Sequence, residues 1–458
     1  MKRSEPSTDA LRAKLARALS DMYETEMPRY REMGDLVRLV NKTALGADTV
    51  TAPAELDIVQ HGAIRVGTAR ELDDMRRLFA VMGMFPVGYY NLVPSGIPVH
   101  STAFRPIDRD ALRRNPFRVF TSLLRLDLIH DAELRDAAAA VMHRRDILTP
   151  RCRVLLEACE RDGGLDDAHA DDFVSQALET FRWRGAATTT ARFYERLRAA
   201  HPLLADIVCF KGPHLNHLTL RTLDIDAAQR AMSQAGLDPK PTVEGPPGRR
   251  CPILLRQTSF RAQAEPVAFE GGDGATVLHM ARFGEIEQRG AALTEPGRAL
   301  YDRLLSQVHA QAPAPSGPEA AAVFEQTLAR VFAAFPDDSD ALRREKLAFF
   351  EFSAVEGARA DGRSIEELLA AGVLKAAPIV YDDFLPVSAA GIFRSNLAGS
   401  QSGLAAQNDD RDGFETALGT PIIDAQALYQ AAEEASLERA LAALGLNEAD
   451  GAHSDLPT

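Results

Sequence analysis

His61-Gly62-Ala63-Ile64-Arg65 is followed, 41 residues after its histidine, by Thr102-Ala103-Phe104-Arg105. The same arrangement returns as His217-Leu218-Thr219-Leu220-Arg221 and Thr258-Ser259-Phe260-Arg261, offset by 156 residues. A His-x-x-x-Arg unit and a Thr-x-Phe-Arg unit repeated in one register imply two copies of one supersecondary unit. Each copy places a histidine at the same point of the same strand, which is how a chain builds a pseudo-symmetric metal cup.

The elements around the repeat support this. The β-branched stretch LDIVQHGAIRVGT reads as a strand. Thr68 and Glu71 then open a helix that carries Leu72, Met75, Phe79 and Met82 on one face, with a stop at Gly83. VGYYNL and IPVHSTAFRPI follow as two short strands around a turn at Pro94-Ser95-Gly96. In the second copy LNHLTLR leads into a helix opened by Asp224 and closed at Gly236. ILLRQTSFRA, VAFE and TVLHMARFGEIEQRG read as the strands after it. The chain is therefore expected to be α+β. Two strand-helix-strand-strand modules, 51–107 and 204–311, form a central incomplete β-barrel. A helical segment (1–50) precedes them, and a helical lobe (108–203), in which FRVFTSLLRL is read as helix, separates them. DIVCF, around Ile207, is read as a strand. A Pro/Ala-rich linker (312–322), a helical C-terminal part (323–440) containing the extended segment 378–397, and a polar tail (441–458) complete the chain.

The 458 residues, 46% of them hydrophobic, suffice for a large core or several domains. A formal charge of −13 argues against nucleic acid as a partner. Four cysteines without a C-x-x-C pair argue for a reducing, cytoplasmic setting and against a thiolate metal site. Neither a membrane span nor a secretory signal is expected. A small anionic substrate would need arginines that oppose the global charge locally.

Residues of equal parity share a strand face, so His61 lies with Arg65 and His217 with Arg221. On RFGEIEQRG, Glu285 and Glu287 share a face with Phe283. Two histidines and one carboxylate are the donor set of a facial triad, which suits non-haem Fe(II) that must also bind substrate and dioxygen. A lone strand histidine is more often a packed core residue; the repeat favours His61 and His217 over His100, His214 and His279. Glu285, nearer the strand centre, is preferred over Glu287. Arg65 is placed to hold a substrate carboxylate in a bidentate pair, unless it serves a structural acid instead. Arg105 and Arg261 are expected to make structural ion pairs.

VQHGAIRVGTARELDDMRRLFAVMGM, GYYNL, VHSTAFRPI, HLNHLTLRTLDID, RFGEIEQRGAALTEPGRALYD and DFLPVSAAGIF together resemble the 2-oxoadipate dioxygenase/decarboxylase family, related to the vicinal-oxygen-chelate superfamily, over roughly residues 10 to 435. The resemblance implies that His61, His217 and Glu285 hold Fe(II), and that Arg65 binds the substrate carboxylate close to His61. It implies that LPVSAAGIF closes over the substrate with Val387 and Ser388 beside it. It also implies conversion of 2-oxoadipate and dioxygen to 2-hydroxyglutarate and carbon dioxide, in lysine catabolism. The competing expectations are another vicinal-oxygen-chelate metalloenzyme (isomerase, lyase or ring dioxygenase) and a non-catalytic ligand-binding protein.

Overall fold

Strands that carry buried polar residues at alternate positions can persist in a core only if those residues converge on partners. The seven-stranded sheet of this protein is arranged to allow that. The computed structural model describes residues 7–46, 56, 58–270, 276–312, 315, 317–385 and 409–446. The chain divides into two compact units. One comprises Met1–Glu244, Gln257–Gln288 and Asp383–Ile423; the other comprises Gly245–Arg256, Arg289–Asp382 and Asp424–Thr458.

In the first unit, α1 (Thr8–Glu26) and α2 (Pro28–Leu45) precede β1 (His61–Val66), α3 (Ala69–Ala80), β2 (Phe85–Asn91) and β3 (Val99–Arg105). The Thr68 hydroxyl accepts from the Glu71 amide at 3.2 Å and so caps α3 as the sequence predicted. A short helix, α4 (Arg109–Arg114), leads to β4 (Arg118–Leu124). Helices α5 (Ala132–His143), α6 (Pro150–Asp162), α7 (Asp167–Phe181), α8 (Ala191–Ala200) and α9 (Pro202–Val208) follow. The second copy is β5 (His217–Arg221), α10 (Ile225–Gln234) and β6 (Leu255–Ser259). A separate hairpin of β7 (Ala264–Val267) and β8 (Val277–Met280) comes next, then β9 (Phe283–Arg289). Asp224 caps α10, and Gly236, at φ +73°, ends its last turn.

The sheet order is β2-β3-β4-β1-β5-β9-β6. In each copy the first strand pairs parallel with the last: β1 with β4, and β5 with β9. β1 and β5 pair antiparallel and join the copies. The β3 and β6 strands, which carry the two Thr-x-Phe-Arg sequences, flank β4 and β9 in equivalent places. The counterpart of β2 is an irregular stretch, bridged to β6 at Pro239–Phe260 and Glu244–Gln257. This doubled strand-helix-strand-strand-strand topology joins two like modules in one sheet, curled into an incomplete barrel.

Three expectations are corrected. FRVFTSLLRL contains β4, not helix: its residues are buried throughout, and a strand covered on both faces loses the alternation that marks strands. DIVCF lies across the end of α9, opened by Pro202 at its first turn. TVLHMARFGEIEQRG is two strands, interrupted at Ala281-Arg282, and only β9 joins the large sheet. Within 323–440, β10 (Phe350–Ala354) and β11 (Leu374–Pro378) form an antiparallel pair in the second unit, packed with the helix Ala425–Ala443 around Leu368, Leu374, Ala440 and Leu444. Among the described residues no helix is long and apolar enough to cross a membrane.

Two glycines let the strands that carry His61 and Glu285 pack closely against their neighbours. A Cβ on Gly62 would lie 2.9 Å from Leu215 Cδ1, between β1 and the approach to β5. A Cβ on Gly284 would lie 2.5 Å from Phe260 Cε1 and 2.9 Å from Met33 Cε, under α2. From α1, the Tyr23 hydroxyl reaches the carbonyl oxygens of Asn216 (2.9 Å) and Phe283 (2.8 Å), tying together the entries to β5 and β9. Tyr23→Phe leaves those carbonyls short of a donor and is expected to cost about 1–3 kcal/mol, read as a lowered urea midpoint with an unchanged m-value.

Candidate metal centre

The sheet register sets one row of side chains across three strands. His61 on β1 lies opposite Thr219 on β5, and Thr219 lies level with Glu285 on β9. His217, two residues before Thr219, shares its face. His61, His217 and Glu285 are all buried, and one donor atom from each lies within 4.8 Å of the others. The two imidazole rings meet edge to face, with centroids 5.5 Å apart.

Glu285 carries most of the local order. Its Oε1 accepts from the Thr219 hydroxyl at 3.0 Å and from Gln257 Nε2 at 2.6 Å, and lies 3.0 Å from His61 Nε2. Burial alone would push this carboxyl up; His217, the hydrogen bond from His61 and the Lys240 ammonium outweigh it and hold the pKa below the usual range. Burial pushes His217 down to about 3, so its ring is neutral and keeps a lone pair for a metal. Glu287, the alternative carboxylate, sits on the other side of His61. Its Oε2 lies 2.9 Å from His61 Nδ1, although the ring N–H is not aligned for a hydrogen bond.

His217 Nδ1 and Glu285 Oε2 are buried and have no hydrogen-bond partner among the described residues. Orphaned donors at the centre of a polar row are costly in a closed core, and a bound cation is what they would satisfy. Two imidazoles and one carboxylate therefore fit a divalent metal, with Glu287 placed to orient His61 from behind. Aromatic groups seal one side. Phe384 stands edge-on to His61 at 4.8 Å between centroids and packs on Phe120 at 5.0 Å. The Arg105 fork holds Asp383 at 2.8 and 3.1 Å, which anchors the segment that carries Phe384.

Arg65 shares the His61 face but pairs with a buried acid, Asp206 on α9. Asp206 also binds His214 and His279, two of the histidines set aside by parity and pairing. His100 lies elsewhere, edge-on to Phe414. Arg105 makes the ion pair expected of it, and Arg261 lies 3.5 Å from Asp238. Val387 and Ser388 lie outside the described residues. The reading from sequence did not single out Thr219, Gln257, Lys240 or Phe384. Thr219 was within reach of the parity argument, since it falls between His217 and Arg221. Gln257 and Lys240 left no comparable signal.

A doubled strand-helix-strand-strand-strand fold with a buried two-histidine, one-carboxylate cluster defines a class of proteins with a candidate metal centre. Comparison with known proteins is more specific. Residues 15–396 match the family model described as 2-oxoadipate dioxygenase/decarboxylase. A protein of that name from Pseudomonas putida is 49% identical over 457 residues, spanning 96% of this chain and 98% of the relative. Its Escherichia coli namesake is 48% identical, spanning 94% and 98%. The crystal structure of hydroxyglutarate synthase from Pseudomonas putida, in complex with 2-oxoadipate, aligns with a TM-score of 0.89 at 48% identity, covering 96% of this chain and 99% of that one. The chain belongs to the 2-oxoadipate dioxygenase/decarboxylase family, and is an oxidoreductase by that membership.

The two acids on β9 are separable by metal titration against a chromophoric chelator. Glu285→Gln is expected to abolish high-affinity binding of one divalent ion, and Glu287→Gln to weaken it about tenfold. Equal effects would contradict the assignment of inner and outer carboxylates.

Proposed function

We propose that this protein is an Fe(II)-dependent dioxygenase that converts 2-oxoadipate and dioxygen to 2-hydroxyglutarate and carbon dioxide. The observation that carries the reading is the buried His61–His217–Glu285 cluster with its orphaned donor atoms, in a chain nearly half identical to relatives bearing that name. One oxygen atom of dioxygen enters the new carboxylate at the former keto carbon and the other enters as the hydroxyl, while C1 leaves with its own two oxygens as carbon dioxide, so the reaction balances without an external reductant.

His61, His217 and Glu285 would hold the iron, with one negative charge among them. A ferrous ion bound there supplies dioxygen activation and a net positive charge that attracts a chelating 2-oxo carboxylate. The protein does the rest by position. Thr219 and Gln257 fix the Glu285 carboxylate so that it presents the same oxygen at every turnover. Arg65, on the face of β1 that carries His61, would take the distal carboxylate of the substrate and fold its chain back toward the site, a positioning effect. Phe384 and Phe120 exclude water from the His61 side, which protects a reactive centre from side reactions. The stretch around Val387 and Ser388 would close over the bound acid. A step in lysine catabolism is what the family resemblance implies, and the free thiols fit a cytoplasmic setting.

Oxygen uptake by the ferrous-loaded protein should depend on 2-oxoadipate and yield 2-hydroxyglutarate and carbon dioxide in equal amounts. His61→Ala should lose both metal and turnover. Absence of oxygen consumption in a protein shown to retain iron would overturn the reading.

A further inference from the structure

Asp206 is a buried carboxylate from α9, joined to side chains of three other segments. Its Oδ2 accepts from Arg65 on β1. Its Oδ1 lies 2.9 Å from His279 Nε2 on β8 and 3.2 Å from His214 Nε2, in the approach to β5. The chain continues outward: Tyr194 on α8 reaches His279 Nδ1 at 2.8 Å, which leaves Nε2 as the nitrogen that donates to Asp206. Trp183 covers both imidazoles, stacked on His279 at 5.8 Å and edge-on to His214 at 4.7 Å.

Asp206, His214 and His279 have the donor types of a second metal site and lie close enough to form one. The charges argue otherwise. The Arg65 guanidinium already occupies the same carboxylate, and Arg282 sits over the Trp183 ring at 5.2 Å. Two fixed cations where a third would have to enter make the cluster an anchor for an arginine. Burial disfavours the charged imidazole of His214, while Arg65 and the histidines hold Asp206 far below the usual carboxylate range despite its burial. Asp206 is thus a permanent anion with fixed geometry.

We infer that Asp206 is a positioning residue for substrate recognition: by fixing the Arg65 guanidinium it sets the preference for dicarboxylic over monocarboxylic 2-oxo acids. This rests on the reading that Arg65 takes the distal carboxylate. A long side chain at the end of a strand has many rotamers, and holding one of them in advance removes an ordering cost from binding. His214, His279 and Tyr194 extend the brace by holding Asp206 in turn.

The test compares the KM for 2-oxoadipate with the inhibition constant of 2-oxohexanoate, which has the same chain without the distal carboxylate. In iron-loaded Asp206→Asn, the KM should rise about tenfold or more, with a smaller change in kcat and an inhibition constant within about twofold of the parent. Arg65→Met should show the same selective pattern, more strongly. If Arg65→Met leaves the ratio of the two constants unchanged, the substrate role of Arg65 fails and the inference falls with it. If Arg65→Met is selective but Asp206→Asn moves both constants equally, or neither, Asp206 is structural and the inference alone is overturned. Should Asp206→Asn fail to fold, Tyr194→Phe shortens the brace by one hydroxyl. A selective KM rise of about threefold is then expected, and a nonselective or absent effect overturns the inference.

Discussion

A carboxylate with no exposed surface is the constraint on which this fold turns. Glu285 lies on β9, one strand in from the sheet edge but fully buried, where an isolated charge would cost several kcal/mol. Its compensation comes from three neighbouring strands and one loop: His61 on β1, Thr219 on β5, Gln257 on β6, and Lys240 before β6. Each partner requires its strand to be present, in order and in register. Slipping β5 by one residue would turn Thr219 and His217 to the opposite face and leave Glu285 short of a donor. The site and the sheet are therefore one problem. The polar row that makes a metal centre possible also dictates how the two copies are joined.

Around that row the protein separates tasks by distance. The groups nearest the cluster are rigid and short: Thr219, Gln257, and the ring of Phe384. Glu287 lies behind His61, so the ring sits between two acids. Farther out, the Arg105–Asp383 pair ties the segment bearing Phe384 to the edge of β3, and Tyr23 ties the entries of β5 and β9 to α1. None of these outer contacts touches the cluster, yet each restrains an element that does.

Much of this was legible in the sequence, for a specific reason. Duplication wrote the same spacing twice, and strand parity then placed His61, His217, Arg65 and the β9 acids on shared faces without any structure. Helix signals at Thr68, Asp224 and Gly236 were equally plain, because capping and left-handed glycine are local chemistry. What escaped was nonlocal. β4 is buried along its whole length, so its sequence carries no alternation and imitates a buried helix. Asp206 was hidden within an apolar run read as strand, and its meaning depends on Arg65, 141 residues away. His214 was set aside by strand parity and His279 as unpaired across the repeat. They do not pair with each other's copy; they converge on an acid that the repeat does not contain. Tyr23 gave no hint that its hydroxyl would serve two backbone carbonyls.

The register also shows what the first copy lacks. Where β9 places Glu285 opposite Thr219, β4 places Phe120 opposite Ala63. A chain divided between the copies would leave one fragment with a histidine facing a phenyl ring, and another with a histidine and an acid but no second imidazole. Neither fragment alone carries the three-residue cluster.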